Sequence, residues 1–137
     1  LLLFVSFIMI NESDNPEKRR VLVVEDDGSI AYILHFILKR EGFEVVIAKD
    51  GNEAMEYIDS GEIFALALID ILLPFYDGFQ LIEKIRSLDH WANIPILVLS
   101  AVSQEKGIVR ALKLGANDYV VKPFQPAELV ARIKRFL

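Results

Sequence analysis

The sequence contains no cysteine among its 137 residues. This excludes disulfides, thiol catalysis and cysteine-bound metals, and it fits a cytoplasmic protein. Basic residues are in the minority, since 15 lysines and arginines stand against 20 acidic residues and the net charge is −5. Nucleic-acid-binding surfaces are basic, so we expect this chain itself to bind no nucleic acid.

A long hydrophobic run is also lacking. The first ten residues, Leu1–Ile10, are almost all apolar, but a membrane span needs about 20 such residues. They also lack the basic lead-in and cleavage site of a signal peptide. Two interpretations stay open: a non-native or trimmed segment, or a genuine element that packs on a partner. With the polar linker that follows, this segment takes residues 1–19, which leaves one domain at 20–137.

Within that domain, five short apolar runs alternate with five helical stripes. Such alternation predicts a parallel sheet with helices on both faces, because right-handed crossovers leave few other arrangements. We therefore expect an α/β fold, a three-layer sandwich around one five-stranded parallel sheet. The predicted strands are Val21–Val24, Phe43–Ile47, Phe64–Ile69, Ile96–Leu99 and Tyr119–Val121.

Three of the helical stripes carry specific expectations. Ser29 is the expected N-cap of the first helix, and Pro126 fits the first turn of the last. The fourth helix, Gln104–Leu114, contains Gly107, which weakens a helix by roughly 1 kcal/mol relative to Ala. This glycine indicates either a mobile element or only a frayed end. The residues expected on buried helix faces are Ile30, Ile33, Leu34, Ile37 and Leu38 in the first helix, and Leu129, Val130, Ile133, Phe136 and Leu137 in the last.

Polar residues follow four of the five predicted strands. Glu25, Asp26 and Asp27 follow the first strand and Asp70 the third, while Ser100 and Lys122 follow the fourth and fifth. The carboxyl ends of parallel strands converge on one crevice. Each residue alone is more commonly a cap, a turn residue or a surface charge. Their joint occurrence predicts a site.

The residue types at this crevice suit one kind of chemistry. Several carboxylates repel each other unless a cation joins them, and their hard oxygens suit Mg²⁺. An ammonium and a hydroxyl beside the metal could hold the oxygens of a phosphoryl group. Phosphoryl transfer needs mainly positioning and charge neutralisation, which a metal and a lysine supply.

Four motifs resemble those of the receiver domain of two-component response regulators. They are VLVVEDD (Val21–Asp27), LIDILLPFYDGF (Leu68–Phe79), ILVLSA (Ile96–Ala101) and LGANDYVVKPF (Leu114–Phe124). The resemblance covers the chain from about Arg20 to Leu137. It implies a flavodoxin-like fold with strand order 2-1-3-4-5.

The resemblance also implies roles for individual residues. Asp70 would accept a phosphoryl group from a histidine kinase or phosphotransfer protein. Glu25 and Asp26 would organise Mg²⁺ or Mn²⁺ together with Asp70, and the backbone carbonyl of Leu72 would complete the metal site. These assignments describe a signalling switch that assists its own phosphorylation rather than an enzyme.

The switch implied by the family involves the remaining strand ends. Ser100 and Lys122 would contact the acyl phosphate, and Tyr119 would swing from an exposed to a buried position behind Ser100. The Lys122–Pro123 peptide bond is cis in the family. The output surface would be helix four, strand five and helix five.

The sequence PAELVARIK (Pro126–Lys134) is similar to the OmpR/PhoB subfamily, whose receivers dimerise through that surface. The charged positions used there correspond to Arg110, Asp118, Glu128 and Arg132. Asn117 stands where the subfamily often has Asp. Exposed charges at these spacings equally suit a solvated face, so membership stays open.

Two departures from the family pattern stand out. Phe75 and Tyr76 replace a Gly-containing pair, which puts bulky aromatics beside the site. Leu72 and Val102, two positions past Asp70 and Ser100, are both apolar. Neither side chain could orient an attacking water, so we expect slow self-dephosphorylation.

Two other functions compete with the phospho-acceptor. A receiver-like interaction module that works without phosphorylation is disfavoured by the complete set of Asp26, Asp70, Ser100 and Lys122. A nucleotide or flavin enzyme on the same fold is disfavoured because no Gly-rich phosphate loop follows the first strand.

Overall fold

The computed structural model describes residues 19–137, so Leu1–Ile10 and most of the linker lie outside the described residues. The sheet has five strands, all parallel, in the order β2-β1-β3-β4-β5. The predicted α/β fold and strand order are confirmed. The strands are β1 (Arg20–Val24), β2 (Glu44–Ala48), β3 (Leu66–Ile69), β4 (Ile96–Ser100) and β5 (Asp118–Val121).

Each strand leads into a helix, and a short 3₁₀ helix at Asp89–Trp91 precedes β4. No helix within residues 19–137 is long and apolar enough to cross a membrane. The helices are α1 (Gly28–Arg40), α2 (Gly51–Asp59), α3 (Gly78–Ser87), α4 (Glu105–Leu114) and α5 (Pro126–Lys134).

Two hydrophobic cores flank the sheet. Helices α1 and α5 bury Leu34, Leu38 and Ile133 against one face, and α2, α3 and α4 cover the other. Strand β3 is buried along its whole length, as expected for a central strand covered on both faces. The sheet is therefore a rigid base from which the loops at its carboxyl edge project.

The first helix begins differently from the prediction. Asp27, not Ser29, is the N-cap of α1: its backbone is extended, and its Oδ1 accepts hydrogen bonds from the N–H groups of Ser29 and Ile30 at 2.9 and 3.0 Å. Helix α1 therefore starts at Gly28, directly after the acidic run. The cap ties the acidic loop to the helix, because the residue that satisfies the free N–H groups belongs to that loop.

Several residues differ from the prediction in their burial or in the element that contains them. Ile33 is 46% exposed, because α1 meets the sheet along a narrower stripe than its apolar residues cover. Leu137 follows the end of α5 and is 51% exposed. Phe64 is buried but precedes β3, and its ring packs 5.4 Å from that of Trp91.

Arg86 at the end of α3 joins three segments. Its guanidinium donates to the carbonyl oxygens of Ala92 and Ile94 at 3.0 and 2.7 Å, and to that of Gly115 at 2.8 Å. It also donates to the side chain of Asn117 at 2.9 Å. Burial lowers the pKa of the Arg86 guanidinium. The segment between α4 and β5 is thus fastened to the end of α3.

Candidate functional site

The site lies at the carboxyl edge of the sheet, where the four neighbouring strands β1, β3, β4 and β5 end. Glu25 and Asp70 directly follow β1 and β3, Ser100 is the last residue of β4, and Lys122 directly follows β5. Glu25, Asp70 and Ser100 are all buried. The parallel pairing therefore brings together the residues that the sequence predicted to converge.

Asp70 is held by contacts to both carboxylate oxygens. Its Oδ1 accepts from the backbone N–H groups of Ile71 and Leu72 at 2.6 and 3.3 Å. Its Oδ2 accepts from Nζ of Lys122 at 2.9 Å. The side chain is consequently fixed in one orientation, with its charge balanced by the ammonium.

Lys122 bridges two carboxylates. Its Nζ also donates to Oε1 of Glu25 at 2.6 Å. Burial alone would lower the pKa of the Lys122 ammonium, but its bonds to Asp70 and Glu25 outweigh burial and raise the pKa. Burial raises the pKa of the Glu25 carboxyl, and the hydrogen bond from Lys122 offsets only part of that rise. Lys122 is therefore charged at neutral pH, and its ammonium favours the ionised form of Glu25 while burial opposes it.

The acidic residues form a cluster that could hold a metal ion. Carboxylate oxygens of Glu25, Asp26 and Asp70 lie within 4.8 Å of one another, and Asp26 is exposed while the other two are buried. Carboxylate oxygens with an open, solvent-facing side suit Mg²⁺, which keeps several of its waters. The donor set therefore fits the predicted divalent cation. Asp27 has a structural role instead, as the N-cap of α1.

Ser100 is fully buried, and its surroundings connect it to the neighbouring strand and loop. Its Oγ accepts a hydrogen bond from the N–H of Val102 at 3.2 Å. The phenol of Tyr119 donates to the carbonyl oxygen of the same Val102 at 2.6 Å. Burial raises the pKa of this phenol. Tyr119 is thus half-buried behind Ser100, with its hydroxyl directed at the loop between β4 and α4.

The Lys122–Pro123 peptide bond is cis. Leu72, whose backbone carbonyl is predicted to bind the metal, has a side chain that is 60% exposed.

The loop between β3 and α3 contains a contact that the sequence did not predict. Gly51, at the start of α2, donates its N–H to the carbonyl oxygen of Pro74 at 3.1 Å. A Cβ at Gly51 would lie 2.2 Å from the carbonyl oxygen of Tyr76. Phe75, between these two residues, has a φ of 72° and a side chain that is 72% exposed. The aromatic pair is therefore packed through its backbone against α2, and the Phe75 ring projects into solvent.

Local sequence could have indicated part of this arrangement. Asp50 caps α2 by accepting from the N–H of Glu53 at 2.8 Å, and Glu53 accepts from the N–H of Lys49 at 3.0 Å. An acid followed three residues later by Glu is typical of a helix start. The pattern places Gly51 in the first turn of a helix. It does not indicate that Gly51 packs against the backbone of Tyr76.

The charged residues predicted for a dimer face pair within the chain. Arg132 contacts Asp118 at 3.1 Å and Glu128 at 3.1 Å. The guanidinium of Arg110 lies 4.0 Å from the centre of the Phe79 ring. Asn117 is exposed, but its side-chain oxygen is already engaged within the chain, since it accepts from the N–H of Ile96 at 2.8 Å.

Comparison with known proteins agrees with this geometry. Residues 21–134 match the family described as response regulator receiver domain. Regulatory protein VanRc of Enterococcus gallinarum is 42% identical over 115 residues, which cover 84% of this chain and 48% of that protein. The chain thus spans about half the length of this relative.

Two solved structures with about 30% sequence identity or more share the fold. A putative response regulator from Chloroflexus aurantiacus J-10-fl is 36% identical, with a TM-score of 0.81 over 86% of this chain and 96% of that one. The receiver domain of sensor histidine kinase PA1611 from Pseudomonas aeruginosa PAO1 is 29% identical, with a TM-score of 0.79 over 86% and 96%. That crystal structure has a magnesium ion coordinated in its active-site cleft.

The sequence match, the shared fold, and the carboxylate cluster and lysine at the carboxyl edge of the sheet all agree. The chain belongs to the receiver domain family of response regulators.

Proposed function

We propose that Asp70 is the phospho-acceptor of this receiver domain and takes a phosphoryl group from a histidine kinase or phosphotransfer protein. The observation that carries this proposal is the placement of Asp70, fixed between the loop N–H groups and Lys122 with Glu25 and Asp26 in reach. Such a domain works as a signalling switch in the cytoplasm. The absence of cysteine agrees with that location.

In the reaction, a carboxylate oxygen of Asp70 forms a bond to phosphorus while the bond from phosphorus to the donor nitrogen breaks. The electron pair of the broken bond stays on the nitrogen. Lys122 is close enough to contact the oxygens of a phosphoryl group on Asp70, because its Nζ already lies 2.9 Å from Oδ2 of Asp70. The Ser100 hydroxyl would contact a further phosphoryl oxygen. Charge neutralisation by these groups is the main requirement of phosphoryl transfer.

Glu25, Asp26, Asp70 and the backbone carbonyl of Leu72 would hold the divalent cation, Mg²⁺ or Mn²⁺. When bound, the cation supplies positive charge that balances the phosphoryl oxygens against the carboxylates. Burial, and to a smaller extent the nearby Asp70 carboxylate, raises the pKa of the Glu25 carboxyl, and a bound cation would favour its ionised form.

Incubation with acetyl phosphate and Mg²⁺ tests the acceptor. The wild-type protein is expected to gain one phosphoryl mass, and Asp70→Asn, which keeps the side-chain shape, is expected to gain none. Asp89→Asn removes an exposed carboxylate and serves as the control that retains the gain. Mass spectrometry of the intact protein measures all three. An unmodified wild-type protein, or a modified Asp70→Asn variant, would contradict the proposal.

The acyl phosphate is expected to be long-lived. Leu72 and Val102 present no polar side-chain atom that could orient a water for attack on phosphorus. The half-life in Mg²⁺ buffer should therefore be many minutes or longer, followed as loss of the phosphoryl mass after acetyl phosphate is removed. Decay within seconds would mean that another group activates the water.

We further propose that the output surface consists of α4, β5 and α5, and that the domain is of the OmpR/PhoB type and pairs through this surface. Val109 and Leu112 expose apolar side chains on α4 at 37% and 43%, and Asp118, Arg132 and Glu128 form an ion-pair cluster on β5 and α5. Sedimentation of the phosphorylated protein tests this, with a dimer expected. A monomer at high concentration would instead favour a stand-alone switch or a partner of another kind.

A module that binds partners without phosphorylation is the second candidate. The partnered Asp70 and Lys122 argue against it, because a site with no phosphoryl chemistry gains nothing from burying two carboxylates beside one ammonium.

A further inference from the structure

Val102, in the loop between β4 and α4, is contacted from three directions. Its N–H donates to Oγ of Ser100 at 3.2 Å, and its carbonyl oxygen accepts from the Tyr119 phenol at 2.6 Å. Its side chain packs on the first turn of α4, where Gly107 is the third residue. Both backbone groups of Val102 therefore form hydrogen bonds with residues of the site, and its side chain packs on the helix.

The contact with α4 requires that Gly107 has no side chain. A Cβ at Gly107 would lie 2.8 Å from Cγ1 of Val102, whereas ordinary van der Waals contact begins at 3.4 Å. A methyl group at this position would force Val102, α4 or both to move. Alanine is usually the better helix former. At this position the steric conflict with Val102 should instead make alanine the less stable residue.

The start of α4 lacks a side-chain cap. Gln104, its N-cap residue, makes no side-chain capping hydrogen bond. The free N–H groups of this turn are not tied down by a side chain, so the packing on Val102 is a contact that joins this helix end to the loop. The Val102–Gly107 contact is thus the link through which α4 and the Ser100 loop fix each other.

We propose that Gly107 is a positioning residue for the Ser100 hydroxyl, because the empty space above it lets Val102 take the place from which its N–H holds Ser100 Oγ. The proposal rests on the proposed function, since it concerns the hydroxyl that contacts the phosphoryl group. It assigns no chemistry to Gly107 itself. It explains why a residue that weakens α4 stands in its first turn.

The test uses Gly107→Ala and the double variant Gly107→Ala/Val102→Ala. In the single variant the loop shifts, and we expect phosphorylation by acetyl phosphate in Mg²⁺ to slow by about tenfold, less than the roughly 10²-fold that a 1 Å misplacement can cost. The double variant removes the clashing Cγ1 and should return to near the wild-type rate. If Gly107→Ala fails to fold, the double variant should fold, because the conflict lies with that one atom.

A second readout is independent of phosphorylation. The ring resonances of Tyr119 in ¹³C-tyrosine-labelled protein, assigned with Tyr119→Phe, should move in Gly107→Ala and return in the double variant. Gly28→Ala is the matched control, because an added Cβ there meets no atom within 4 Å. It should leave the Tyr119 resonances in place.

Three results would overturn the proposal. Wild-type rate and resonances in Gly107→Ala would mean that Val102 turns aside without moving the loop. Changes that persist in the double variant would place the conflict elsewhere. Shifted resonances with an unchanged rate would show that the contact does not position Ser100. A wild-type protein that takes no phosphoryl group overturns the proposed function, and the resonances still decide the contact.

Discussion

Replacement of Lys122 by methionine is expected to slow phosphorylation by acetyl phosphate by roughly 10²–10³-fold, the usual loss when one donor to a developing anion is removed. Methionine keeps an unbranched side chain of similar length, so packing is largely retained. The ammonium that lies 2.6 Å from Glu25 and 2.9 Å from Asp70 is lost. The rate of phosphoryl mass gain measures the effect.

The same variant should bind Mg²⁺ more tightly. Without the ammonium, the carboxylates of Glu25 and Asp70 repel each other and a cation becomes their only counter-charge. Calorimetric titration with Mg²⁺ measures this opposite change. Lys39→Met removes one exposed positive charge from α1 and should alter neither property. Weaker Mg²⁺ binding together with slower phosphorylation would point to general disruption of the site rather than to the loss of one charge.

Replacement of Gly51 by alanine is expected to lower the free energy of unfolding by about 2–4 kcal/mol, more than most single substitutions. A Cβ would lie 2.2 Å from the carbonyl oxygen and 2.5 Å from the nitrogen of Tyr76. These are backbone atoms, which cannot rotate away. Urea denaturation followed by circular dichroism measures the change.

Gly28→Ala controls for the exchange of a glycine for alanine in the first turn of a helix. Nothing lies within 4 Å of a Cβ there, so its stability should be unchanged or higher by up to about 1 kcal/mol. Equal stabilities for the two variants would mean that the loop from Pro74 to Tyr76 yields readily. In that case the hydrogen bond from Gly51 to Pro74 would not hold the loop beside Asp70.

Much of this architecture could be predicted because the sequence expresses it locally. Apolar runs and helical stripes specify a parallel sheet, and a parallel sheet brings its carboxyl ends to one edge. The convergence of Asp70 and Lys122, 52 positions apart, follows from topology alone. What topology does not specify is which of two suitable residues performs a local task. Asp27 and Ser29 are both good N-caps, and only the end of β1 decides between them.

Other features leave no trace in the sequence. The apolar Phe64 is predicted as part of a strand, but it is buried outside the strand, by contacts that include the Trp91 ring far along the chain. The approach of Gly51 to Tyr76 joins two loops with no shared pattern. The hold of Val102 on Ser100 and Tyr119 uses backbone groups, which every residue except proline carries alike. Such contacts depend on distances that only the folded chain specifies.

The two ends of helix α4 are held differently. The guanidinium of Arg86 fastens the carbonyl of Gly115, just beyond the last turn, at 2.8 Å. The first turn has no side-chain cap, and Gly107 in this turn packs against the side chain of Val102. A displacement that begins at Ser100 should therefore swing the amino end of the helix through an arc while the carboxyl end stays in place. Arg110, in the middle of α4, would travel about half as far as the first turn.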